Sequence, residues 1–197
     1  MRVTLFDYGA GNLHSLAKAL VTAPGIEVRV QEDPVRALDT DLLVLPGVGA
    51  FGAAAARLAP GREQMRHALQ EGLPCLGICL GMQLMFDTSD EGGGQGLGVF
   101  RGRVTKLRSQ RVPHIGWNSV EEDTALRGAK LDTVYYAHSY VCRAEEPGVV
   151  VGWTTHEADR FPAAVRRGNV LGVQFHPEKS SGAGVRFVQA FLKEVVP

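Results

Sequence analysis

Residues 73–86, LPCLGICLGMQLMF, constrain the fold more than any other stretch of the chain. The apolar run from Leu73 to Ile78 has the length and composition of a strand buried on both faces. Leu80, Leu84 and Met85 follow at helical spacing with no linker between. Cys79 stands at the corner, with Gly77 two residues before it and Gly81 two residues after. This is the G-x-S-x-G strand-turn-helix elbow with sulfur in place of the hydroxyl. So sharp a corner needs small neighbours, because strand and helix backbones approach closely there. The first helical turn carries N–H groups without intrahelical acceptors and the positive end of the helix dipole, both of which favour a thiolate. Leu80 N–H is then placed to stabilise an oxyanion. The competing reading is a buried cysteine that closes a strand and does no chemistry.

The rest of the chain supports an α/β frame around that corner. Residues 3–7 read as a strand, 8–12 (YGAGN) as a glycine-rich loop, 13–23 as a helix ended by Pro24-Gly25, and 26–31 as a second strand. This β-loop-α-β order signals a parallel sheet. Gly9-x-Gly11 with Glu32-Asp33 about twenty residues on has part of a dinucleotide-binding pattern, but His14 occupies the place of the third glycine, so a tight turn is the simpler reading. A third strand at 42–45 runs into Pro46-Gly47-Val48-Gly49. Backbone N–H groups at Gly47, Val48 and Gly49 lie past the carboxyl end of a parallel strand, where open α/β sheets place their sites, and offer a second oxyanion donor. Residues 62–71 form an amphipathic helix, and 89–98 (SDEGGGQGLG) a loop that is either a lid or a linker.

From Val99 onward the pattern changes to short β segments at 102–107, 112–121, 133–143, 149–155, 163–167 and 170–176, expected to extend the central sheet with antiparallel strands. An amphipathic helix at 183–195 closes the chain. The expected architecture is one α/β domain over 1–197, an open mixed sheet with a parallel core flanked by helices.

Composition excludes several classes. Lysine plus arginine and aspartate plus glutamate are balanced at 21 each, so no bulk charge recruits nucleic acid. The chain lacks a signal-peptide pattern or an apolar run long enough to span a membrane, and is expected to be cytoplasmic. Three cysteines, Cys75, Cys79 and Cys142, do not make a disulfide framework, and the six histidines have no metal-ligand spacing, so neither metal nor other cofactor is expected.

A cysteine nucleophile needs a base, and the base needs an acceptor on its other ring nitrogen. The segment 172–178, GVQFHPE, supplies His176 and Glu178 on one face of an extended end, with Pro177 keeping His176 out of the helical region. Taken singly, each is also compatible with an ordinary surface residue. His138, in an apolar strand, reads as structural, and the remaining histidines have no arrangement around them suited to a base.

These motifs resemble the class I, triad-type glutamine amidotransferases, whose G-x-C-x-G-x-Q and H-P-E patterns appear complete at 77–83 and 176–178. Within that family the chain is similar to the glutaminase subunits of imidazole glycerol phosphate synthases, through DYGAGN at 7–12, PGVGAF at 46–51, PHIGWN at 113–118, HSY at 138–140 and GVQFHPEKS at 172–180. The resemblance implies that Cys79 attacks the side-chain amide of glutamine, that His176, oriented by Glu178, protonates the departing ammonia, and that a glutamyl thioester is then hydrolysed. It implies an oxyanion hole at Gly47, Val48, Gly49 and Leu80, with a peptide that reorients for activity, and glutamine binding by Gln83, Glu91, Ser139 and Tyr140. It also implies a (β/α)₈-barrel cyclase partner that takes the ammonia through a tunnel, with Asn12, Trp117 and Lys179 at the interface. Two alternatives stay open: a self-sufficient cysteine hydrolase acting on an amide or γ-glutamyl substrate, and a non-catalytic subunit.

Overall fold

The computed structural model describes residues 1–197 except 10–12, 22–24, 48, 123–130 and 196–197. Gly11, Asn12, Pro24 and Val48, singled out above, lie outside the described residues.

An eight-stranded sheet runs through the molecule in the order β2 (Glu27–Gln31), β1 (Arg2–Phe6), β3 (Leu42–Leu45), β4 (Cys75–Ile78), β13 (Val170–Val173), β12 (Asp159–Arg167), β11 (Val150–His156), β8 (Glu121–Glu122). The first five are mutually parallel, and β12, β11 and β8 extend them antiparallel, as expected. The inner strands are apolar at every position because both faces are covered. Side chains alternate between two cores. Leu42, Val44, Leu76, Ile78, Leu171 and Val173 face α1 (His14–Leu20) and α5 (Ser181–Val195). Leu43, Leu45, Cys75 and Val170 face α2 (Phe51–Leu58), α3 (Arg62–Gln70) and α4 (Leu80–Leu84). Each such side chain, fully withdrawn from water, contributes roughly 1.5–3 kcal/mol. Among the described residues, no helix is long and apolar enough to cross a membrane.

Three local features depart from the sequence reading. The segment 133–143 is not one strand: β9 (Thr133–His138) pairs antiparallel with β7 (His114–Ser119), while β10 (Tyr140–Ala144) pairs with β6 (Gly102–Lys106) beside β5 (Thr88–Ser89). The chain changes sheet at Ser139, whose carbonyl accepts from Leu107 N–H, and the in-out alternation lapses there, Val141 and Cys142 both being buried. Among the described residues the antiparallel extension of the central sheet therefore comes from β8, β11 and β12 only, and these other strands form two small sheets beside it. Helix α2 is additional. Finally, the glycine-rich loop, read as a lid or a linker, lies against α2: a Cβ on Gly52 would fall 2.8 Å from Gly92 O, and Asp90 N–H bonds Val104 O.

Candidate active site

β3, β4 and β13 are neighbours in register, Leu45 opposite Gly77 and Val173 opposite Ile78, so their carboxyl ends open on one spot. Gly47 follows the first, Cys79 the second and His176 the third. Topology thus gathers chemistry that sequence scatters over about 130 residues.

Cys79 adopts φ 48°, ψ −102°, a left-handed corner that costs a non-glycine residue about 1–3 kcal/mol. The surroundings hold it there. Its N–H donates to Val173 O at 2.7 Å and its carbonyl accepts from Gln83 N–H at 3.1 Å. The flanking glycines are required by contact: a Cβ on Gly81 would lie 1.9 Å from Leu45 O, and one on Gly77 2.7 Å from Met85 Cε. Helix α4 spans five residues, which limits its dipole, so the first-turn N–H of Leu80, unable to bond within the helix, is the stronger electrostatic feature.

His176 is almost wholly buried, with extended backbone at φ −102°, ψ 95°. β13 stops at Val173, and Glu178 sits in the 3₁₀ turn Pro177–Lys179 rather than in extended chain. That turn, rather than strand alternation, brings the carboxylate under the ring, with Nδ1 2.8 Å from Glu178 Oε1. Ser180 fixes the turn by donating to His176 O at 2.7 Å and accepting from Tyr135 N–H at 2.9 Å. Burial alone would lower the imidazole pKa, but hydrogen bonds and charge from Cys79 and Glu178 outweigh it and raise the value to about 10. A protonated His176 between Cys79 and Glu178 is the arrangement this favours. Gly47 packs against both reacting side chains: a Cβ there would be 2.9 Å from His176 Cε1 and 3.1 Å from Cys79 Cβ.

The model of the family glutamine amidotransferase class-I matches residues 4–195. The chain belongs to the class I glutamine amidotransferases. It is 42% identical over 197 residues to the imidazole glycerol phosphate synthase subunit HisH of Pyrococcus furiosus, covering 98% of each chain. It is 46% identical over 196 residues to the HisH subunit of Symbiobacterium thermophilum, covering 95% of this chain and 91% of the relative. Among solved structures, a crystal structure described as a glutamine amidotransferase superposes with a TM-score of 0.75 at 22% identity, covering 98% of each chain. PurLQS from Thermotoga maritima gives 0.72 at 19% identity, covering 99% of each. These last two agree with the fold.

In this amidotransferase a cavity of about 230 Å³ opens onto Cys79, and its lining includes Gly47, Gly49, Leu80, Gln83, Glu91, Ser139 and Tyr140. Every described residue expected in the oxyanion hole or around glutamine therefore reaches the cavity. Gln83 Nε2 donates to Tyr140 O at 2.9 Å. Glu91 accepts the Phe51 N–H at 3.0 Å, so it caps α2 from forty residues away while lining the cavity. Gly49 adopts φ +113°, a value suited to glycine.

The two described interface candidates, Trp117 and Lys179, stand outside the cavity. Trp117 is 55% exposed, and Ile115, two residues earlier on the same face of β7, is 64% exposed. Lys179 is exposed, with its ammonium 5.9 Å from the centroid of the Tyr135 ring.

Two residues of the site were not anticipated. His138, read as structural, also walls the cavity, and its Nδ1 lies 3.0 Å from Tyr140 O. Burial, then the charge of His114, pushes its pKa down to about 3, and burial with His156 pushes His114 down to about 4. Both rings are neutral, and one tautomer pair satisfies every contact: Asn118 Nδ2 donates to His114 Nε2, His114 Nδ1 to His138 Nε2, and His138 Nδ1 to Tyr140 O. The second is Gln174, buried beside Cys79. Its only signal in the sequence is its place two residues before His176, on the same side of an extended segment.

Proposed function

We propose that this chain is the glutaminase subunit of an imidazole glycerol phosphate synthase, hydrolysing glutamine and passing the ammonia to a (β/α)₈-barrel cyclase. The cyclase uses it to form imidazole glycerol phosphate and aminoimidazole carboxamide ribonucleotide in histidine biosynthesis. The observation that carries this reading is similarity to HisH subunits over nearly the full length of both chains. A strained Cys79 beside a His176–Glu178 pair supports the chemistry.

In the proposed mechanism glutamine lies in the cavity with its side-chain carbonyl against Cys79. The thiolate adds to that carbon, and the resulting oxyanion is held by Leu80 N–H and the 47–49 backbone. The C–N bond breaks as His176 delivers its proton to the nitrogen, releasing ammonia and leaving a thioester. Neutral His176 then takes a proton from water, which attacks the thioester carbon and releases glutamate. Glu178 holds the ring in the tautomer that aims Nε2 at sulfur and substrate.

The test is glutamate release by this chain alone and with a barrel cyclase carrying its ribonucleotide ligand. Near silence alone and strong stimulation by the ligand-bound cyclase is the expected result. Full activity alone, unchanged by the cyclase, reassigns the chain to a self-sufficient hydrolase.

A further inference from the structure

Gln174 is fully buried, and its carboxamide touches two groups of the site. Its Nε2 donates to Cys79 Sγ at 3.4 Å and its Oε1 accepts from Gln83 Nε2 at 3.2 Å. Gln83 spends its other N–H on Tyr140 O. Two N–H bonds leaving Gln83 require an acceptor from Gln174 on that side, so the Gln174 face toward sulfur must be the donor. The amide cannot flip without setting two N–H groups against each other, and both carboxamides are buried.

We propose that Gln174 is a positioning residue for the nucleophile, its N–H holding the Cys79 sulfur in the thiolate form while the Tyr140–Gln83–Gln174 chain fixes the direction of that donor. A thiolate is a better acceptor than a thiol, so the bond favours the deprotonated sulfur. The titratable groups facing that sulfur are His176 and the buried thiol of Cys142 on β10. Gln174 differs from both in being a donor that cannot lose its proton. The same N–H serves the second half of the reaction: when water has added to the thioester carbon, the C–S bond breaks, its electron pair returns to sulfur, and a fixed donor stabilises the departing thiolate. This inference rests on Cys79 being the nucleophile proposed above.

Alkylation by iodoacetamide reads the sulfur without needing the glutamine pocket. Cys75 and Cys142 are fully buried, and burial raises both thiols well above their ordinary value, so the full-length chain should react at Cys79, with Cys79→Ala as the blank. Gln174→Met keeps length and removes the donor. The expected result is an alkylation profile whose rising limb is displaced upward by about one pH unit, so that the rate at a given pH on that limb falls about tenfold. Gln83→Met, which unties the Gln174 amide, should displace it in the same direction by less. A Gln174→Met profile that superposes on the parent, with only a lower melting temperature, makes Gln174 a packing residue and overturns the proposal. Should Gln174→Met fail to fold, an unshifted Gln83→Met profile overturns it instead. Glutamine hydrolysis retained in Cys79→Ala would remove the nucleophile reading itself, separately from either profile.

Discussion

His176 and Glu178 are joined Nδ1 to Oε1 at 2.8 Å across a turn of one intervening proline, and this pair ties part of the fold's stability to pH on the alkaline side. The folded imidazole is raised from 6.5 to about 10, with burial opposing and the bonds and charges of Cys79 and Glu178 prevailing. A raised folded value means that the stabilisation is complete below about 6.5 and is lost as pH climbs through about 10. Calorimetric melting temperatures of the parent should therefore fall across that window more steeply than those of His176→Gln. Parallel curves for the two proteins would show that the pair contributes no such linkage.

Gly47→Ala should damage catalysis more than folding. Its new methyl would sit 2.9 Å from His176 Cε1, 3.0 Å from Ile78 O and 3.1 Å from Cys79 Cβ, all closer than ordinary contact. Glutaminase kcat in the cyclase complex is expected to drop at least about tenfold, since small displacements of reacting groups are felt strongly. An unaltered kcat would mean that the loop yields without moving the dyad.

Gly81→Ala is expected to do the reverse. A Cβ 1.9 Å from Leu45 O cannot be accommodated by a side-chain rotation, because backbone meets backbone between β3 and α4. Urea unfolding should show a loss of about 3 kcal/mol or more, at the upper end of overpacking costs. A loss below about 1 kcal/mol would mean that α4 can slide on the sheet.

Much of this organisation was legible in the sequence because local pattern and global position agree. β3 and β4 are continuous apolar runs, α3 and α5 have one greasy stripe, and the cysteine corner is flanked by glycines that the backbone contacts demand. Helix α2 escaped the sequence reading for a physical reason: FGAAAARL is a short run whose own N-terminal residue makes no capping bond, and its cap is Glu91, remote in sequence. The break at Ser139 was hidden because residues on both sides favour strand, and only the partners β7 and β6 differ. Gln174 carries no local signal of its contact with Cys79, since β4 and β13 become neighbours only in the folded sheet.

His138→Phe should separate two consequences of one ring. The aromatic bulk packed on Tyr136 and Phe161 is kept, while the donor to Tyr140 O is removed. The acceptor for His114 Nδ1 goes as well, but only the bond to Tyr140 O reaches a residue proposed to hold glutamine, and its loss, worth about 1 kcal/mol, predicts a rise of about fivefold in KM for glutamine. Because His138 is depressed to about 3, chiefly by burial and next by His114, its neutral form stabilises the fold above about 6.5, and that contribution is lost as pH falls toward 3. The variant should therefore lose less melting temperature on acidification than the parent. An unchanged KM with an unchanged acid limb would reduce His138 to filler.

Trp117→Ala tests the surface proposed to meet the cyclase. Trp117 and Ile115 expose apolar area on one face of β7, and Ile115 also lines the cavity where glutamine is proposed to bind, so a partner seated here would border that cavity. The indole leans edge-on against Tyr135, whose ring lies under the Lys179 ammonium, which gives it a defined position before any partner arrives. Aromatic anchors of this kind carry about 2 kcal/mol or more at interfaces, so the dissociation constant for the cyclase should rise about thirtyfold. Stability of the free chain should change by less than about 0.5 kcal/mol, because the ring is largely in water. Calorimetric titration against the cyclase measures the first and denaturant unfolding the second. Unchanged affinity would move the docking surface away from β7.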